Sequence, residues 1–222
     1  MMSNYDINSN PGLVKRMIEL EKQDDKRYYA EHPDSLIPPF EAELRELGYE
    51  FEVSSQIPGF LPKHKALLLP IIIRYYKMAT LKNEKSYFMG LFQHKGFEEV
   101  VPMLLDDFYS GDPIIDRWAI GDRLYTIRSK KYTEDYLKII ANPVYSRSRQ
   151  MIVLLIGKLK VEEAIPILIE LLDDDDVRGH AIIALGEYKR EGLRKHFIRF
   201  QEYKNSYIRK EALKALKKLE QQ

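Results

Sequence analysis

From about residue 61 onward, apolar positions recur at three- and four-residue spacing between short polar breaks. That period belongs to amphipathic helices. No stretch alternates with period two for long; GYEFEV, residues 48–53, is the nearest approach and it is brief. The helices come in pairs. EEAIPILIELL, FEEVVPMLLDDF and KALLLPIII place Pro166, Pro102 and Pro70 at equivalent points, 64 and 32 residues apart, and TEDYLKII (133–140) fills the remaining slot without a proline. The helices that follow also align: EKSYFMGLFQHK, IDRWAIGDRLYTI, SRQMIVLLIGKLK, DVRGHAIIALGEYK and SYIRKEALKALKKL. Their first small or apolar anchors are Phe88, Ala119, Ile152, Ala181 and Ala212, spaced by 31, 33, 29 and 31 residues.

Two helices of roughly 10–14 residues with their turns fill such a period, and one pair cannot bury its apolar faces alone. Stacked pairs can. Ala181, Ala184, Ala212 and Ala215 let neighbouring helices approach, and Gly157 and Gly186 mark matching places near the ends of second helices. Each proline belongs either in an opening turn or at a kink that curves the stack. The chain therefore reads as all-α: a right-handed solenoid of about five helix pairs over residues 61–222. Residues 1–60 do not repeat. A helix over 11–32, a second ending at Gly48, and a proline-containing loop over 52–64 form an N-terminal helical cap.

The unit EEAIPILIELLDDDDVRGHAIIALGEYK closely resembles a short HEAT repeat of the kind found in phycobilisome lyase-like proteins. The resemblance covers about 160 residues. It implies an interaction scaffold, with the second helices lining a concave face that binds a partner protein. By family analogy alone it also admits a lyase that attaches bilin to a partner's cysteine.

Composition narrows the chemistry. The chain has 222 residues, 45% hydrophobic and 31% charged, as expected of a folded protein. It has no cysteine, which excludes disulfides, thiolate nucleophiles and cysteine-ligated zinc. The N-terminal ten residues show no leader pattern and the longest apolar run, 66–73, is too short to span a bilayer. A cytoplasmic protein without membrane contact is the expectation. The net charge of +1 gives no global pull toward nucleic acid, but residues 117–160 and 178–218 are locally basic, and nucleic acid remains a possible partner.

Four aspartates, Asp173 to Asp176, precede the helix that begins at Val177. There a carboxylate can cap free amides; the spaced ligands, glycine and closing glutamate of a calcium loop are missing. Three residues before each anchor stand Lys85, Asp116, Arg149, Arg178 and Arg209. Such a ladder either pairs with turn aspartates or binds an acidic peptide or phosphate. It breaks at Asp116, in the repeat that holds the only tryptophan. Trp118 and Asp122 lie four apart and share a face. A tryptophan and a carboxylate on one face of such a helix resemble the HEAT-like alkylpurine DNA glycosylases, which implies Trp118 holding a damaged nucleotide and Asp122 stabilising a cationic sugar. The alternative is Trp118 packed in the core and Asp122 bonded to Arg117, Arg123 or Arg149. Arg117, Trp118, Asp122, Arg149, Arg178 and Arg209 are the candidate binding residues. The five histidines lack ligand spacing and no nucleotide motif is present, so neither a metal nor a cofactor is assigned.

Overall fold

The computed structural model describes residues 10–220. The N-terminal stretch on which the leader was judged lies largely outside them. Among the described residues there is no strand, and the architecture is an all-α, HEAT-like solenoid. Contacts divide the chain into two compact units, 1–91 and 92–222.

The first unit contains α1 (Pro11–Glu31), α2 (Ile37–Glu46), α3 (Leu61–Met78) and α4 (Lys82–Gly90). Asn10 starts α1 by accepting from the Leu13 amide, with Pro11 preset in the first turn. Gly48, at φ 88, ends the α2 segment in a conformation that favours glycine. The proline-containing stretch expected as a loop is more ordered than that. It forms a 3-10 helix, Ser54–Gly59, that leads straight into α3. The core is aromatic: Phe40 meets Tyr75 and Phe88 edge-on, each at 5.2 Å between centroids. Buried Glu84 reaches from α4 to the Leu36 amide at 2.7 Å, holding the start of α2.

The second unit contains four pairs: α5 (Val101–Ser110) with α6 (Arg117–Ile127), α7 (Thr133–Ala141) with α8 (Gln150–Leu159), α9 (Ile165–Glu170) with α10 (Arg178–Tyr188), and α11 (Arg194–Ile198) with α12 (Ser206–Glu220). The second helices stack in series, α6 on α8, α8 on α10 and α10 on α12. Small residues set the spacing. A Cβ on Gly157 would fall 2.6 Å from the Ala184 Cβ, and one on Gly186 would fall 3.2 Å from the Ala215 Cβ. Pro102 and Pro166 sit in the opening turns of α5 and α9. Pro70 lies inside α3, whose kink falls at His64 (φ −119, ψ 22). Three second helices end on a basic residue in left-handed conformation, Arg128, Lys160 and Lys189, where glycine would be usual.

Candidate functional site

In five successive pairs a basic side chain at the head of the second helix donates to a carbonyl at the end of the first helix or in the turn that follows it. Lys85 Nζ reaches Tyr76 O at 3.0 Å, Arg117 Nε reaches Phe108 O at 2.6 Å and Arg149 Nη1 reaches Ile140 O at 3.2 Å. Arg178 Nε reaches Leu172 O at 2.7 Å, and Arg209 Nη1 reaches Tyr203 O at 2.8 Å. The closing carbonyls of each first helix and its following turn thus gain a cationic partner.

This changes the register of one repeat. The rung in α6 is Arg117, one residue later than Asp116, and the buried anchor is Ile120 rather than the half-buried Ala119. The ladder is unbroken. Asp116 instead caps α6, accepting from the Trp118 and Ala119 amides at 2.9 and 3.2 Å.

The four aspartates tie three consecutive pairs together. Asp174 accepts from Arg149 of the preceding pair at 2.5 Å, and Asp173 lies 3.1 Å from Arg199 of the following one. Asp175 takes Arg178 within its own pair. Asp176 accepts from the Ser146 hydroxyl at 2.5 Å and from Arg147 at 3.3 Å. The Ser146 hydroxyl, with Arg147 and Arg149 behind it, outweighs desolvation and holds the Asp176 carboxyl below its ordinary range. None of them caps α10 by a side chain. The capping expectation fails because the carboxylates find guanidinium groups, which bind them more strongly than a helix amide does. Arg149 is the most enclosed member, 1% exposed. Ser146, at φ 45, is held at this junction by Arg149 Nε on its carbonyl as well as by Asp176.

Trp118 is 43% exposed, so it is not a core residue. Its indole N–H donates to Gln150 Oε1 at 3.2 Å, and Gln150 donates onward to Asp176 O at 2.7 Å. Asp122 is paired with Arg123 at 2.8 Å. Arg117 stacks over Phe108 and Tyr145, at 5.8 and 5.5 Å. Of the candidate residues, Trp118 is the one with a large exposed surface. Arg149 is closed to solvent, and Arg178 lies under Tyr203 with its guanidinium bonded to Leu172, Asp173, Asp175 and Tyr203.

A continuous surface does run across the second helices. With Ile120, Ile152, Ala181 and Ala212 aligned, helical geometry puts three rows on the least buried face. They are Ala119, Met151, His180 and Glu211; Asp122, Leu154, Ile183 and Lys214; and Thr126, Lys158, Glu187 and Lys218. Met151, Leu154 and Ile183 are half-buried, an apolar stripe between charged margins. Glu187 bridges Lys158 at 3.7 Å and Lys218 at 2.6 Å. Burial pushes the Glu187 carboxyl up, but the two ammonium groups outweigh it and hold it below its ordinary range. Burial pushes His180 down, so the imidazole on this face is neutral near pH 7. The stripe escaped sequence reading because its residues look like additional core positions. The 29- and 31-residue spacing of Lys158, Glu187 and Lys218 was the available signal.

These pairs define a helical-repeat protein. The sequence model of the PBS lyase HEAT-like repeat matches residues 149–174, so the chain carries a HEAT-like repeat. The match starts at Arg149 and ends at Asp174, the two partners of the buried ion pair. No curated protein matches the chain. No helix among the described residues is long and apolar enough to cross a membrane, and no group of three or more acidic or histidine side chains there could hold a metal ion.

Proposed function

We propose that the chain is a non-catalytic scaffold and that the concave face lined by its second helices binds a partner protein. The single supporting observation is the stripe of Met151, Leu154 and Ile183, half-exposed across the two stacked helices α8 and α10 where a stack needs only polar residues. Trp118 lies at its α6 end as an aromatic anchor of the kind that dominates interfaces. The exposed Lys210, Lys214 and Lys217 lie at its α12 end. A partner segment with apolar anchors and an acidic end fits both features. Lys85 keeps the ladder's contact in α3–α4, which supports reading residues 61–222 as one repeat series with 1–60 as its cap. A cytoplasmic location accords with the absence of cysteine.

This reading is favoured over a DNA-binding or glycosylase-like one. The arginines that motivated a basic groove cap helix ends, and Asp122 has Arg123 beside it as a counter-ion. The test is replacement of Leu154 and Ile183 by lysine, singly, with capture of partners from native lysate before and after nuclease. Protein partners that survive nuclease and are lost in both variants support the scaffold. Partners lost on nuclease treatment alone would overturn it.

A further inference from the structure

The first unit contains a cleft of about 530 Å³ between α1, α2, the 3-10 helix Ser54–Gly59 and α4. That is within the usual range for small-ligand sites. Its walls combine three tyrosines, Tyr28, Tyr29 and Tyr87, with two carboxylates, Glu21 and Asp25. No lysine, arginine or histidine lines it. Lys22 of α1 and Arg45 of α2 are engaged elsewhere: Lys22 pairs with Glu52 at 2.8 Å, and Arg45 pairs with Glu41 at 3.0 Å.

Two further observations show that the cleft's polar groups lack partners. The phenol oxygens of Tyr28 and Tyr87 are buried and make no hydrogen bond. Ser54 commits its proton to Glu41, so toward Tyr87 it can only accept, and the phenol oxygen keeps its lone pairs for a donor. Glu21 is partly satisfied by the Ser55 amide and hydroxyl, at 2.9 and 2.7 Å. Asp25 has no such partner, and burial, with Glu21, Glu41 and Asp24 nearby, pushes its carboxyl up to about 6. Aromatic faces, acceptor oxygens and uncompensated negative charge around one cavity are what a cation-binding cage requires.

We propose that this cleft binds an organic ammonium ion, a primary or alkylated amine on an apolar stem. The ammonium sits between Asp25 and the tyrosine rings and donates to the buried phenol oxygens, while the stem lies against Ile37, Pro58 and Leu91. A small metal cation fits less well, because the walls are largely apolar and aromatic and offer few oxygens to replace its water.

The test is calorimetric titration of the full chain with phenethylammonium, with 2-phenylethanol as the uncharged counterpart and N-acetyl-lysine methylamide as the side-chain form. Asp25→Asn removes a half-buried charge, so it should fold, and circular dichroism checks that it does. The expected result is saturable one-to-one binding of the ammonium probe, no binding of the alcohol, and loss of about tenfold or more in affinity in Asp25→Asn. Tyr87→Phe should weaken binding by a smaller factor. Comparable affinity for the lysine derivative would identify the ligand as a protein side chain, and preference for phenethylammonium would identify a free amine. Equal binding of amine and alcohol, unchanged affinity in Asp25→Asn, or no saturable binding at millimolar probe would overturn the proposal.

Discussion

Gly157 of α8 faces Ala184 of α10 so closely that a side chain on the glycine would have no room. Its Cβ would lie 2.6 Å from the Ala184 Cβ and 2.8 Å from the Ala184 carbonyl oxygen. One repeat later, Gly186 faces Ala215 with its nearest approach at 3.2 Å. Gly157→Ala must therefore push two backbones apart, whereas Gly186→Ala needs a shift of a few tenths of an ångström. We expect Gly157→Ala to destabilise the second unit by about 3 kcal/mol and Gly186→Ala by about 1 kcal/mol or less. Urea unfolding of both variants checks the order, and equal effects would contradict this packing.

The Arg149–Asp174 pair supplies the second expectation. Removing the carboxylate leaves a guanidinium in a site that is 1% exposed, with two backbone carbonyls as its remaining partners. Asp174→Ala should cost about 3 kcal/mol or more. Arg149→Met should cost less in combination with Asp174→Ala than in the wild-type background, with a coupling of about 1–3 kcal/mol in a double-mutant cycle. Additive effects would mean that the pair does not act as a unit.

The periodic part of this architecture was legible in the sequence. Proline spacing, the small residues of the second helices and the basic ladder all followed from the need of each pair to be covered by the next. What failed was local. Asp116 stood where the ladder expected a base, because the turn before α6 shifts the rung to Arg117. Asp173 to Asp176 looked like helix caps, since their arginine partners lie as far as 29 residues away in the sequence. Trp118 carried no periodic signal to fix its exposure. The cleft of the first unit was invisible for a related reason: Asp25 and Ser54 come from the non-repeating segment and meet Tyr87 of the first repeat copy only through tertiary packing.

Lys160 ends α8 at φ 53, ψ 51 and is exposed. A side chain in the left-handed region costs about 1 kcal/mol that glycine avoids. Lys160→Gly should stabilise the protein by about 0.5–1 kcal/mol, read as a higher urea midpoint at unchanged slope. A lower midpoint would mean that the lysine makes a compensating contact.

His180 links the apolar stripe to pH. Burial favours its neutral form in the folded chain. Below its ordinary pKa of 6.5, the unfolded chain therefore binds more protons than the folded one. Stability from this group is complete above pH 6.5 and is lost as pH falls toward the depressed folded value. His180→Gln should flatten the acid side of the stability curve relative to wild type. His196, also depressed, acts in the same direction, so it stays intact in both proteins. An unchanged slope in the variant would show that His180 is not the titrating group.

The face formed by Met151, Leu154 and Ile183 is tested most directly by site-specific photo-crosslinking in cells of origin. A photoreactive residue is placed at Ile183, and as a control at exposed Glu163, which precedes α9. The account predicts a discrete crosslinked protein band from Ile183, abolished by Leu154→Lys, and none from Glu163. Crosslinks confined to Glu163, or to nucleic acid at either position, would contradict it.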